Sequence, residues 1–494
     1  MLDFGRLFEM HVSVLLHRLE TEHTASGESA MSKRKVLIEV EASTYHGGFE
    51  QFEEATHSEA QAYSQSAAAL EPTAGLGVEP DDTLGPIPMF GEPSASGVQP
   101  MDALGTIAST GQKLDLQPST LVVPAEIDYA KIDELNMRTG VVAVWENSRV
   151  HLFDSELSGR VNEAPFDLAR SRPGVDCRPF RPPVDMSTIR ELLGVNGPWQ
   201  EGFRGQNVTV AILDDGVDGT VYPVGGGFAP PESGHQPGTA RTSSHGSMCA
   251  ADVLVAAPAA RLYDYPFLGV PRSGGALRMF TEILDQRRRD GTPHIATNSW
   301  GHYSAPPEKD FPTHEVWNVD HAIHRKIKEC IAAGVVTFFA AGNCGANCPS
   351  PACQASAISP NISILASNSL EEVITVGAVN SRHERLGYSS QGPGKFFEQK
   401  PDLVSYTHFL GNFGDGRPGG TDQQQYDNGT SAATPVAAGV AALLMSAIAD
   451  LSPADVRTAL LEGLIKTSNA EWERDYGRGI VNAAASYTHL VRKM

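Results

Sequence analysis

The run Val208-Thr209-Val210-Ala211-Ile212-Leu213 is apolar or β-branched throughout and does not alternate. A strand with one wet face alternates. A continuous apolar strand must be covered on both faces, as in a parallel sheet held between two helical layers. The same texture returns at His294 to Ser299, Val335 to Ala340 and Glu372 to Val379, and a helical pattern from Ala322 to Ala333 lies between two of these runs. Residues 186–494 therefore read as an α/β domain, a doubly wound, mostly parallel sheet with helices on both faces. Ser452-Pro453-Ala454-Asp455 adds a helix start, with serine as N-cap and proline at the first helical position.

A chain of 494 residues is too long for one ordinary core. Residues 1–30 carry no pattern. Residues 31–165 read as a small N-terminal α+β unit, with strands over Val36 to Val40, Leu121 to Val123 and Val141 to Trp145 and a further short run from Val150 to Phe153. Helices are expected over Phe49 to Thr56 and over Tyr129 to Met137, the second ended by Gly140. The stretch from about 60 to 118 is rich in Ala, Ser, Gly, Pro and Gln and is expected to be a flexible insertion. A linker spans 166–185.

The net charge of −21 argues against nucleic acid or an anionic membrane as partner, since both require a basic face. No uninterrupted apolar stretch approaches the roughly 20 residues of a membrane-spanning helix. At the N-terminus, Val12 to Leu16 is shorter than the roughly 7–15 residues of a signal-peptide core, and Asp3 and Glu9 precede it, so a cytoplasmic location is favoured over secretion. Six cysteines are sparse for this length, and three of them form Cys344-x3-Cys348-x4-Cys353. That spacing lacks a fourth ligand and matches no common zinc pattern, so a local disulfide or buried thiols are expected and no metal.

Four positions invite chemistry. Asp214-Asp215-Gly216 ends the first apolar strand, where open α/β sheets place their reactive groups. His245 opens a run of small residues in Ser244-His245-Gly246-Ser247-Met248-Cys249-Ala250. Asn343 closes the strand Phe338-Phe339-Ala340-Ala341-Gly342. Ser431 sits in Gly429-Thr430-Ser431-Ala432-Ala433-Thr434-Pro435, read as a tight turn that delivers serine and proline to the first turn of an apolar helix. Each alone has an ordinary explanation: a strand-end turn, a capping histidine, a turn asparagine, an N-cap serine.

Together, the order Asp, His, Asn, Ser, each at an element end among small residues, resembles the subtilisin-like serine peptidases (subtilases). The Gly-Thr-Ser-Ala-x-x-Pro motif at 429–435 is the most specific element, and the likeness runs from about Gly194 to Asn482. The resemblance implies that Ser431 is the nucleophile, His245 the general base, Asp214 its orienting carboxylate, and Asn343 an oxyanion donor beside the Ser431 N–H. It implies that Ser299-Trp300-Gly301 pairs with extended substrate backbone. It also implies a polypeptide substrate, and that the N-terminal unit is a propeptide acting as chaperone and intramolecular inhibitor.

The motif wording around Asp214, His245 and Ser299 leans toward the kexin/furin branch. Yet His302-Tyr303-Ser304 stands where that branch carries acids, and residues 344–353 hold no acid, so dibasic specificity is not expected. The chemistry requires no cofactor. A structural calcium ion occurs in the family, but Leu254 to Pro258 is shorter than the common calcium loop and no site is readable. Two other readings remain: a subtilase that matures or macrocyclises dedicated peptides, and a silent subtilase fold used for binding.

Overall fold

The computed structural model describes residues 33–45, 59–81, 83–90, 118–153, 174–177, 184–230, 235–267, 270–412, 426–448 and 450–493. The expected helix from Phe49 to Thr56 lies outside them. In chain order, the N-terminal unit comprises β1 (Lys33–Glu41), α1 (Glu59–Ala69), β2 (Glu79–Pro80), β3 (Ile87–Met89), β4 (Thr120–Asp128), α2 (Ile132–Asn136), β5 (Val141–Glu146) and β6 (His151–Leu152). After β7 (Val175–Asp176) and β8 (Val184–Asp185) come α3 (Met186–Leu193), α4 (Asn196–Gln200), β9 (Thr209–Asp214), β10 (Val224–Gly227), α5 (His245–Ala256), β11 (Arg261–Pro266) and α6 (Ser273–Asp290). The chain continues through β12 (Ile295–Asn298), β13 (Trp300–Gly301), α7 (Ala322–Ala332), β14 (Val336–Ala340), β15 (Ile374–Val379), β16 (Arg385–Leu386), β17 (Leu403–Tyr406) and β18 (Phe409–Leu410). It closes with α8 (Gly429–Ala447), α9 (Pro453–Glu462) and α10 (Ala483–Lys493).

The large sheet runs β10-β11-β9-β12-β14-β15-β16-β7, with β17 also on β15. Every pairing from β10 to β17 through β15 is parallel; β16 alone runs antiparallel to β15. The unbroken apolar character of β9 follows from its two covered faces. Val210 and Ile212 pack with residues of α5 and α8, while Ala211 and Leu213 pack with residues of α6 and α7. Parallel strands also bring their C-terminal ends to one edge, where Asn298 pairs with Leu213 and Phe339, and Asp214 and Ala340 follow one residue on.

Two details of α8 differ from the sequence reading. The helix starts at Gly429, so Ser431 is in its first turn but Pro435 is in its second. The missing proline N–H therefore leaves the carbonyl of Ser431, four residues earlier, without a helical donor. Also, α8 is long and apolar enough to cross a membrane by composition, yet 83% of its most apolar window is buried inside the molecule. Its small residues let it lie against neighbouring backbone: a Cβ on Gly439 would meet the Val253 carbonyl oxygen at 2.2 Å.

The N-terminal unit is an antiparallel sheet, β2-β4-β1-β5, with β3 also on β4. Alternation along β1 serves both faces. Val36, Ile38 and Val40 build the unit's own core with Leu70, Leu121 and Leu135. Leu37 points the other way, packing with Ile87, Met89 and Val122 onto Leu277 of α6 and Ala322 of α7. Residues 59–90, expected to belong to a flexible insertion, instead carry α1 and two short strands that extend this sheet. Gly140 lies in the turn before β5 with φ +87°, three residues after Met137 caps α2, so it does not end that helix.

Polar groups secure the docking. The Asn147 side chain accepts from Gly274 N at 2.9 Å in the first turn of α6, an N-cap supplied by another unit. Buried Glu39 accepts from Thr120 Oγ1, Trp145 Nε1 and the Arg325 guanidinium of α7. Burial alone would raise its carboxyl pKa, but Arg325 and these donors hold it below the ordinary value. Farther along, β7 and β8 join strands of the large domain, and Cys177 forms a disulfide with Cys348. The second disulfide, Cys344–Cys353, is local.

Candidate active site

Asp214 ends β9 with its carboxylate 99% buried. Its Oδ1 receives a hydrogen bond from His245 Nδ1 at 2.7 Å and another from Asp215 N at 2.8 Å. His245 is the first residue of α5, placed there by Ser244, which caps the helix by accepting from Ser247 N. Asp215 accepts from the backbone N–H groups of His245 and Gly246, fixing the start of the helix from below. Burial, reinforced by the Asp214 charge, pushes the Asp215 carboxyl up to about 7.

Burial alone would lower the His245 pKa. The Asp214 carboxylate outweighs it and holds the imidazole well above its ordinary value. Cys249, one helical turn after His245, lies 3.6 Å from Asp214 Oδ2 and 4.0 Å from His245 Nδ1. Burial drives its thiol up to about 11, so it stays neutral and does not compete for the imidazolium. Among the described residues, Asp214, His245 and Cys249 are also the group whose ligand atoms lie close enough to share a metal ion, all within 4.8 Å. The short Asp214–His245 hydrogen bond already uses that geometry.

Asn343 is fully buried, three residues beyond the end of β14. Its Oδ1 accepts from both the N–H and the hydroxyl of Thr430, at 3.0 Å each. This fixes the amide so that Nδ2 points into the cleft, where it donates to Phe153 O at 3.2 Å. Ser431 Oγ donates to the same oxygen at 2.8 Å. His245 Nε2 is buried and has no hydrogen-bond partner among the described residues. The Ser431 carbonyl freed by Pro435 accepts instead from Ser299 Oγ at 3.0 Å and lies 3.6 Å from the Cys249 sulfur.

The cleft is filled by the end of the N-terminal unit. Phe153 N donates to Ser299 O at 2.9 Å. Strand β6 pairs antiparallel with β13, setting Leu152 opposite Trp300 and His151 opposite Gly301. Ser299, Trp300 and Gly301 thus offer their backbone to an extended peptide. The Trp300 ring turns away into the core against Phe267 and Phe339. Sequence reading brought together Asp214, His245, Asn343, Ser431 and the 299–301 strand. It missed Thr430 and Cys249 as orienting neighbours, although Cys249 is four residues from His245 on one helical face, and it missed the segment 151–153 as the occupant.

A profile described as the subtilase family, peptidase S8, matches residues 205–479. The chain belongs to the subtilase family. This subtilase is 32% identical over 179 residues to serine protease AprX of Bacillus subtilis, a match covering 33% of this chain and 37% of AprX. It is 29% identical over 300 residues to subtilisin E of the same organism, covering 58% of this chain and 67% of that one. In three dimensions it resembles fervidolysin of Fervidobacterium pennivorans, a keratinolytic enzyme related to subtilisin, with a TM-score of 0.51 at 17% identity. That likeness covers 83% of this chain and 64% of the fervidolysin chain, and it establishes the fold.

Proposed function

We propose that this subtilase is a serine endopeptidase whose N-terminal unit occupies its own substrate cleft and is released by cleavage of the Phe153–Asp154 bond. The observation that carries the reading is the position of the Phe153 carbonyl oxygen. It accepts from both Ser431 Oγ and Asn343 Nδ2, the nucleophile and the oxyanion donor of the proposed mechanism.

In the reaction, the Ser431 hydroxyl turns its proton toward His245 Nε2 and attacks the carbonyl carbon of Phe153. The oxyanion that forms is held by Asn343 Nδ2 and the Ser431 N–H, one of the first helical amides and therefore free of an intrahelical acceptor. His245, stabilised as imidazolium by Asp214, returns the proton to the Asp154 nitrogen as the C–N bond breaks. Water then hydrolyses the acyl-enzyme with His245 as base. Polypeptide substrates follow the same steps once the cleft is vacated. Until then the N-terminal unit inhibits, because β6 holds the backbone positions a substrate strand needs.

The test uses the full chain. Wild-type protein is expected to yield a fragment whose N-terminal residue is Asp154 and to form a fluorophosphonate adduct on Ser431. Ser431→Ala is expected to stay intact. No adduct in folded wild-type protein, or the same fragment from Ser431→Ala, overturns the reading.

A further inference from the structure

The Phe153 side chain reports on a pocket that the catalytic groups do not explain. Its ring is buried and packs with Tyr303, Ala340, Cys344 and Cys353. Tyr303 meets it edge-to-face, with ring centroids 5.4 Å apart at 68°. This is the favoured geometry for two aromatic quadrupoles. The tip of the ring rests on bare backbone: a Cβ on Gly301 would lie 2.7 Å from Phe153 Cζ, and one on Gly342 3.3 Å from it. Cys344 and Cys353, joined by the disulfide that closes the loop starting immediately after Asn343, line another side.

Tyr303 touches more than this ring. Its hydroxyl donates to the Leu152 carbonyl at 3.2 Å, and its ring lies 5.8 Å from that of His151. One side chain therefore contacts three consecutive residues of the bound strand. It holds the backbone of the middle one and the side chain of the last. The groups named around the Phe153 ring are neutral, as is the Asn368 amide, whose Oδ1 lies 2.7 Å from the same Gly301 Cβ position, so a lysine or arginine would gain no opposite charge from them.

We propose that Tyr303, backed by the Cys344–Cys353 disulfide, is the specificity-determining residue of this site and commits it to an aromatic side chain on the acyl side of the bond cut. The inference rests on the endopeptidase reading. Tyr303 discriminates through its ring and aligns the peptide through its hydroxyl, so the two contributions separate by mutation.

The experiment matures the full chain and counts active sites by fluorophosphonate labelling of Ser431. It then measures kcat/KM on peptides that share His-Leu before a varied residue (Phe, Leu or Arg) and Asp after it. Wild-type enzyme is expected to favour Phe over Leu by at least about tenfold and to cut after Arg least. Tyr303→Leu should reduce the Phe-to-Leu ratio about fivefold, the size of one lost aromatic pair. Tyr303→Phe should keep that ratio while lowering kcat/KM on all peptides alike, about fivefold for one lost hydrogen bond. The double variant C344A/C353A, which leaves Tyr303 in place, should lower the ratio through the wall. A labelled, active enzyme with no aromatic preference, or a ratio untouched in both Tyr303→Leu and the double variant, overturns the proposal. Failure of the wild-type protein to label or to cut any peptide overturns the endopeptidase reading, and this inference with it.

Discussion

The carbonyl oxygen of Phe153 lies 2.8 Å from the hydroxyl of Ser431, although 278 residues separate them in the chain. Three layers of structure produce that contact. The N-terminal sheet docks on α6 and α7 through Leu37, Met89 and Val122. The Asn147 side chain caps α6, steering the following residues along the domain surface. Strand β6 then pairs with β13 and delivers Phe153 to the first turn of α8.

Asn343→Ala tests the oxyanion assignment. Its Oδ1 is taken by Thr430, so the Nδ2 donor has one orientation. The matured variant is expected to lose about 10²–10³ in kcat with little change in KM, because the interaction strengthens as negative charge develops. Steady-state kinetics on a peptide substrate checks this.

Ser299→Ala tests the brace behind Ser431. Pro435 removes the helical donor for the Ser431 carbonyl, and Ser299 Oγ supplies the replacement. Without it the buried oxygen keeps only the weak Cys249 thiol contact. The expected cost is about 1–3 kcal/mol of stability for an under-satisfied buried acceptor. A denaturant titration of the Ser299→Ala,Ser431→Ala pair against Ser431→Ala alone reads this without self-cleavage.

Arg325→Met tests the docking of the N-terminal unit. It leaves the Glu39 carboxylate buried with only Thr120 and Trp145 as donors. Arg325 is itself partly solvated, so the loss is smaller than for a fully buried pair, about 1–2 kcal/mol. Hydrogen exchange of β1 and β4 in the Ser431→Ala background should quicken about tenfold, while β9 and β12 stay protected.

Acid should also loosen this junction. Burial lowers the pKa of His151 and His321, both at the junction, to about 4, so both are neutral when the units are docked. His321 donates to Glu146 O across the junction and accepts from Ile323 N as the cap of α7. Protonation removes that acceptor. Groups with depressed histidine pKa values bind fewer protons docked than exposed, so their contribution to docking is lost as pH falls from about 6.5 to about 4, against a smaller opposing effect of Glu146, whose carboxyl pKa burial raises. Asp215 and Asp264, both raised to about 7, favour the folded large domain as pH falls over much of this range. The overall melting temperature therefore mixes opposing effects. Hydrogen exchange confined to β1 and β4, measured from pH 7 to pH 5 and corrected for intrinsic rates, is the appropriate readout.

Much of the site was legible because its chemistry sits at element ends that local sequence marks. Asp214 closes an apolar strand, His245 follows a serine cap, and Ser431 begins a helix of small residues. The 59–90 region was misread because α1 has almost no amphipathic signal: its sequence is mainly Ala, Ser and Gln, and its order depends on a sheet assembled from distant strands. Pro435 was placed one turn early because a proline signals only that a helical hydrogen bond is missing. Which carbonyl is freed depends on where the helix begins.

By itself, the sequence determined the doubly wound fold, the family motif and the four residues of the candidate catalytic set. Periodicity and small-residue turns are local properties that survive in one dimension. The tertiary structure alone decided what fills the cleft. Val150 to Phe153 is an unremarkable short strand until the sheet, the Asn147 cap and Tyr303 converge on it. The pairing of Cys177 with Cys348, 171 residues apart, is the same kind of fact, since neither cysteine carries a local sign of its partner. Contacts across such separations are set by packing, so they became readable only when both units lay against each other.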